Sequence, residues 1–207
     1  MKPILMNLPI PITTPRLLIR PPRIGDGIAV NAAILESHDV LRQFVHWAEH
    51  KPSIDETEEH IRLAAANWIL KNSEEPWLEL YIFDKKTGEF IGGTGFHHYL
   101  WDIPSVETGY WIRNACSSQG LMTEALNAVT QYAFKQLQVK RITITCDINN
   151  LRSKKIPERL NYTLEATLKR SRIKPITGEL SDTLVYSKYT IENLPELLVE
   201  WGVHEPI

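Results

Sequence analysis

The sequence predicts an α+β domain whose mixed sheet is flanked by helices. Two patterns carry that expectation. Residues 77–83 and 90–99 alternate as strands on either side of the Lys86-Thr87-Gly88 turn, as in a hairpin. From Val106 onward strand and helix patterns then take turns, which implies a right-handed crossover between two strands of one sheet. At 207 residues the chain has the size of one domain able to bury its own core.

Taken in order, residues 16–20 alternate and are stopped by Pro21 and Pro22, giving a first strand. From Asp26 the spacing of Ile28, Val30, Ile34 and Leu35 is helical, with a shorter apolar turn around Val40, Leu41 and Phe44. Ser53 and Glu56 have capping-box spacing, and Ile61, Ala64, Ala65 and Trp68 then mark one face of a helix reaching about Lys71. These helices are expected to flank the substrate side. After the hairpin, a strand spans about 106–113. It leads into GLMTEALNAVTQYAFKQL, where Leu121, Ala125, Leu126, Val129, Tyr132, Ala133 and Leu137 stand in helical phase. RITITC reads as a strand, 151–160 as a helix opened by polar residues, and 163–170 and 184–189 as strands. Over 192–201 the apolar Leu194, Leu197, Leu198 and Trp201 suggest a closing helix with Pro195 in its first turn. The expected division is an N-terminal extension over 1–12, the main domain over 13–190 and a closing segment over 191–207.

A hydrophobic fraction of 43% and a charged fraction of 23% place the chain among globular proteins and exclude a disordered one. A formal charge of −2 argues against a nucleic-acid partner, which calls for a clustered basic excess. Cys116 and Cys146 have no metal-ligand spacing, so no metal is expected and both read as reduced thiols. With neither a secretory signal pattern nor an apolar run of membrane-spanning length, the expected location is cytoplasmic, without a membrane partner.

Chemistry concentrates in ETGYWIRNACSSQGLMTEAL, where a strand passes into the long helix through Ser117, Ser118, Gln119 and Gly120. Such a junction directs free N–H groups and the positive end of a helix dipole at one spot, a setting for phosphate. Gly120 lets an anion approach the amides, and the two serines can add hydroxyl donors. The same residues also suit an ordinary capped turn. His97 and His98, adjacent on a strand, point to opposite faces, so at most one of them faces a cleft. Trp47, Trp68 and Trp77 fit a core or a substrate wall.

GYWIRNACSSQGLMTEAL, followed by CDINNLRSKKIPERLNY and TLEATLKRS, resembles the GNAT N-acetyltransferases, in the branch typified by bacterial ribosomal-protein serine/alanine N-terminal acetyltransferases (RimJ/RimL-like). The resemblance runs from about Thr13 to Tyr189 and is strongest between Glu107 and Tyr162. It implies a GNAT-type, mostly antiparallel sheet splayed at its centre, and acetyl-coenzyme A as cosubstrate. The family's pyrophosphate signature falls on Ser117, Gly120 and Met122; only the central glycine is kept, with Ser118 where a glycine is usual. The implied coenzyme contacts are the main chain of Tyr110, Trp111 and Ile112, the loop Ser117, Ser118, Gln119, Gly120, Leu121 and Met122, and Asn150 with Ser153 on the following helix. Ser153 is the implied acid for the departing thiolate and Glu107 the implied base. Asn161 stands where relatives have Gly, and Arg172 where the ribosomal-protein enzymes can carry an acidic residue.

The function expected is acetyl transfer to a primary amine by direct attack in a ternary complex, with a protein amino terminus as preferred acceptor. A small amine such as a polyamine, amino sugar or antibiotic is the enzymatic alternative, favoured by acidic residues around the acceptor cleft. An acyl-coenzyme A-binding module with little catalysis is the alternative of another class. Both monomer and homodimer are compatible with the sequence.

Overall fold

The computed structural model describes residues 3–71, 77–100 and 102–202. Two short strands, β1 (Ile12–Thr13) and β2 (Leu17–Arg20), are followed by helices α1 (Gly27–Leu41) and α2 (Ile54–Leu70). Strands β3 (Leu78–Asp84), β4 (Phe90–Leu100) and β5 (Ser105–Ile112) form a meander. Helix α3 (Leu121–Lys135), β6 (Arg141–Asp147), α4 (Leu151–Arg159), β7 (Thr163–Ile173), β8 (Leu180–Lys188) and β9 (Glu200–Trp201) complete the chain. One nine-stranded sheet results, in the order β7-β8-β6-β5-β4-β3-β2-β1-β9. Among the described residues only β5 and β6, joined through α3, run parallel. The mostly antiparallel α+β architecture expected from the sequence is therefore present.

The two layers covering the sheet follow from side-chain spacing. In α3, Ala125, Leu126, Ala128, Val129, Tyr132 and Ala133 are fully buried, a stripe broad enough to lie flat on the sheet. Helix α2 starts where the capping box predicts: the Glu56 N–H donates to Ser53 Oγ at 3.2 Å, and the Ser53 N–H donates to Glu56 Oε2 at 2.7 Å. Its C-cap is Lys71, in the left-handed region at φ 45°. Helix α1 buries Val30, Ala33, Ile34 and Leu41, whereas Ile28 and Leu35 of the expected face are 71% and 40% exposed. No helix is long and apolar enough to cross a membrane, and no group of acidic, His or Cys residues could hold a metal, among the described residues.

The tail corrects one expectation. Residues 192–201 form no helix; Glu200 and Trp201 instead pair with Thr13 and Ile12 at the sheet edge. Asn193 sits at φ 60°, in the left-handed region, and the chain runs on to β9 without forming a helix. The apolar residues still serve the core: Leu194, Leu197, Val199 and Trp201 pack against it. The expected extension and closing segment thus meet across β1 and β9.

The parallel pair creates the functional opening. β5 and β6 are in register at only three positions, Ser105 with Arg141, Val106 with Ile142 and Glu107 with Thr143. Beyond them β5 stays with β4 as far as Ile112, while β6 follows β8 as far as Asp147. The sheet is therefore splayed between residues 108–112 and 144–147.

Candidate active site

Helix α4 begins at the open end of the splay. The Asn150 side chain caps it, accepting the Ser153 N–H at 3.1 Å, which leaves the Asn150 amide NH2 to serve the cleft. Ser153 Oγ donates to Tyr110 Oη at 3.1 Å, and Tyr110 Oη donates to the Ser153 carbonyl at 2.8 Å. Burial holds the Tyr110 phenol above its ordinary pKa, so it stays a neutral proton carrier. Cys146 of β6 lines the same cleft as Ser153; burial pushes this thiol up to about 11, leaving it protonated. The sequence pointed to Asn150 and Ser153 together, and the fold brings both into one cleft with Tyr110 and Cys146.

Main-chain groups divide by parity along β5. The Trp111 carbonyl lies against Gly92 of β4, and the Arg113 N–H donates to Ile91 at 2.8 Å. Odd-numbered residues thus pair with β4, and strand alternation turns the main-chain groups of Tyr110 and Ile112 toward the unpaired edge. Of the three expected backbone contributors, Trp111 already has its partners within the sheet.

The Trp111 indole works on the opposite side. It lies over Gly93, where an added Cβ would come within 2.5 Å of its Nε1, and it meets Trp47 edge-on at 5.8 Å between centroids. Together with Phe44 from the α1–α2 connection, these rings wall a cleft of about 640 Å³ that continues to Cys146, Asn150 and Ser153. On its far wall Trp77 stacks with His97 at 6.2 Å, and His60 Nε2 meets Glu79 Oε2 at 2.9 Å. Glu107 sits at the fork of the splay, directly opposite His97 in the β4–β5 register, and accepts a 2.7 Å hydrogen bond from Thr145 of β6. Of the two adjacent histidines only His97 lines the cleft; His98 is exposed.

Burial lowers the His97 pKa to about 4, so the ring is neutral at physiological pH. An unfolded histidine titrates near 6.5, so the stabilisation from keeping His97 neutral is present above that pH. It is lost as the pH falls from about 6.5 to about 4. A stability series across this window should show a decline of up to about 3 kcal/mol that His97→Phe flattens. An unchanged slope in the variant would show that other groups govern acid sensitivity.

The expected anion loop runs from a short helical turn at Asn114–Cys116 into α3. Gly120 is the N-cap of α3 at φ 77° and offers no side-chain cap, so the first-turn amides are open to a ligand. Ser118 also adopts a left-handed angle, φ 63°, where a glycine would be at ease. The Ser117 hydroxyl donates to the Asn114 carbonyl at 2.8 Å, and the Gln119 amide donates to the Ala115 carbonyl at 3.1 Å. Both side chains therefore shape the loop. Leu121 and Met122 are buried in the core, so only their main chain can reach an anion.

One cation at this loop escaped the sequence reading. Arg16, just before β2, donates through Nε to Glu124 Oε2 at 2.6 Å and through Nη1 to the Gln119 carbonyl at 3.1 Å. Its Nη2 lies 3.6 Å from where a Cβ on Gly120 would stand. No local signal links residues more than a hundred positions apart; only the α3–β2 packing does so.

The chain matches a family model described as an acetyltransferase (GNAT) domain over residues 16–163. YdaF of Bacillus subtilis strain 168 is 26% identical over 155 residues, 74% of this chain and 80% of its own. The ribosomal-protein-serine acetyltransferase of Escherichia coli K12 is 25% identical over 148 residues, covering 72% of this chain and 78% of its own. Among solved structures, RimL, a ribosomal L7/L12 alpha-N-protein acetyltransferase in complex with coenzyme A, superposes with a TM-score of 0.76. At 23% identity, the likeness covers 87% of this chain and 97% of that one.

Proposed function

The chain belongs to the GNAT acetyltransferase family, and on that premise we propose that it moves an acetyl group from acetyl-coenzyme A onto a protein's amino terminus by direct attack. The observation that carries this reading is the splay between β5 and β6, which joins an open-capped helix on one side to an aromatic cleft on the other. Acetyl-coenzyme A supplies the acyl group, activated as a thioester.

The residues fit that cosubstrate. The α3 amides and the Arg16 guanidinium provide for the pyrophosphate, and the open edges of Tyr110 and Ile112 with the Asn150 amide provide for the pantetheine. Ser153 can give its proton to the sulfur, and the neutral Tyr110 can turn its own O–H onto Ser153 Oγ. On the acceptor side, Glu107 takes the amine proton through a water, beside a neutral His97 that accepts or donates without charge repulsion. An amino terminus has a pKa near 7.7–8.0, so only a modest base is needed and activity should rise toward that pH.

The acceptor preference is supported by the ribosomal-protein substrates named for relatives and by the charge of the cleft. Its two lining glutamates are both engaged, Glu56 in the α2 capping box and Glu79 with His60. With Glu107 taken up as the base, the cleft lining holds no uncommitted carboxylate to concentrate a polyamine, which disfavours the small-amine alternative. Calorimetry with acetyl-coenzyme A, alongside thiol release over a peptide and small-amine panel, tests the proposal. Binding without release for every acceptor would favour a coenzyme-binding module instead. Arg16→Ala should weaken acetyl-coenzyme A by roughly ten- to a hundred-fold, the worth of one charge-assisted phosphate contact. Unaltered affinity in that calorimetric comparison would remove Arg16 from the site.

A further inference from the structure

The cleft contains a guanidinium that the proposed chemistry does not use. Arg172 lies among the lining residues with Cys146 and Ser153, at the end where the thioester belongs. Its charge is felt at Cys146, whose thiol it helps to lower against the effect of burial. Arg20, Arg113 and Arg141 are tied to carboxylates, with Arg20 2.8 Å from Asp26, whereas the Arg172 guanidinium has no hydrogen bond or ion pair among the described residues.

The backbone directs it there. β7 pairs Leu168 with Thr183 and then Arg172 with Ser181, so extra residues are taken up on β7 between the two pairs, with Arg170 at φ 50°. Such a bulge re-aims the side chain that follows it. Arg172 is partly buried, whereas its neighbours Arg170 and Ser171 are exposed. An unpaired, partly desolvated guanidinium is costly unless a ligand supplies the counter-charge. The other charges at the cleft do not supply it: Glu79 is bound to His60, Glu56 to the α2 N-terminus, Glu107 accepts from Thr145 and stands outside the lining that Arg172 shares, and His97 is neutral.

We propose that Arg172 selects acceptors carrying an oxyanion close to the reacting amine, a carboxylate at or next to the amino-terminal residue. This rests on the acyltransfer reading of the same cleft. The guanidinium would hold the carboxylate through a bidentate pair and so orient the amine toward the thioester. It would also repel acceptors with a cation at that place.

The test uses amidated peptides alike except for Asp, Ala or Lys as second residue, with free alanine and alaninamide as a further pair. Binding to the protein saturated with coenzyme A is measured by calorimetry, and kcat/KM by thiol release with acetyl-coenzyme A. The expected order is Asp above Ala above Lys, with steps of about tenfold. R172Q should erase the order and R172E reverse it. A stronger signal from free alanine than from alaninamide would identify an α-carboxylate as the anion, and one confined to the Asp peptide would identify a side chain. Equal binding of all the acceptors, or an order that persists in R172Q, overturns the proposal. Because binding is read separately, a preference seen without thiol release supports the role of Arg172 while counting against acyl transfer.

Discussion

Replacing Ser153 with Ala is expected to lower turnover about a hundredfold while leaving acetyl-coenzyme A affinity nearly unchanged. The loss should lie at the low end for an acid catalyst, because a thiol is acidic enough to leave partly unaided. Stability should hardly change. The Ser153 N–H that anchors α4 to Asn150 is retained in alanine, and the hydroxyl contact to Tyr110 disappears. Tyr110→Phe removes the neutral phenol that would restore the Ser153 proton and should cost a comparable factor. If the two hydroxyls act as one relay, the double variant should be little worse than either single one. Single-turnover rates, which isolate the chemical step, check this; full additivity would mean that the hydroxyls act separately, and an unaltered rate in S153A would remove Ser153 from the reaction.

The parts of the candidate site that the sequence points to are short-range patterns read with the family resemblance. Gly120, between a strand and an amphipathic helix, marks a local anion setting that an ordinary capped turn would share, whereas Asn150 and Ser153, three residues apart at a helix start, are singled out through the family resemblance. The capping box of α2 is visible because it is local. What the sequence hid is made by long-range contact. Arg16 reaches the α3 loop only because β2 and α3 pack together. His97, His60 and Trp77 form one wall only after β4, β3 and α2 meet. The tail misled because its apolar residues do serve the core, yet an extended segment buries Leu194, Leu197 and Trp201 as well as a helix would. Periodicity over ten residues interrupted by Pro195 cannot separate the two.

The anion site at α3 gives the second large effect, through Gly120→Asp. Position 120 is left-handed, and apart from Gly the residues that best tolerate such angles are Asn and Asp. Space is available, since an added Cβ would meet only Arg16 Nη2, at the ordinary contact distance of 3.6 Å. Both Gly120→Asp and Gly120→Asn should therefore fold, and Asp, a good N-cap residue, gains an ion pair with Arg16. For the coenzyme the two differ by one charge. The Asp carboxylate would occupy the amides that the pyrophosphate needs, take up Arg16 Nη2 and oppose like charge, so affinity should fall at least about a hundredfold. Asn, neutral and of the same shape, should stay within about tenfold of the unaltered protein. Calorimetry on the three proteins decides it, with thermal unfolding to show that each is intact. Equal weakening by Asp and Asn would mean that shape at position 120 matters and charge does not, and the helix terminus would lose its place as the pyrophosphate site. A graded loss tied to charge would place the coenzyme's phosphates between Arg16 and the first turn of α3, with the thioester directed into the splay toward Ser153.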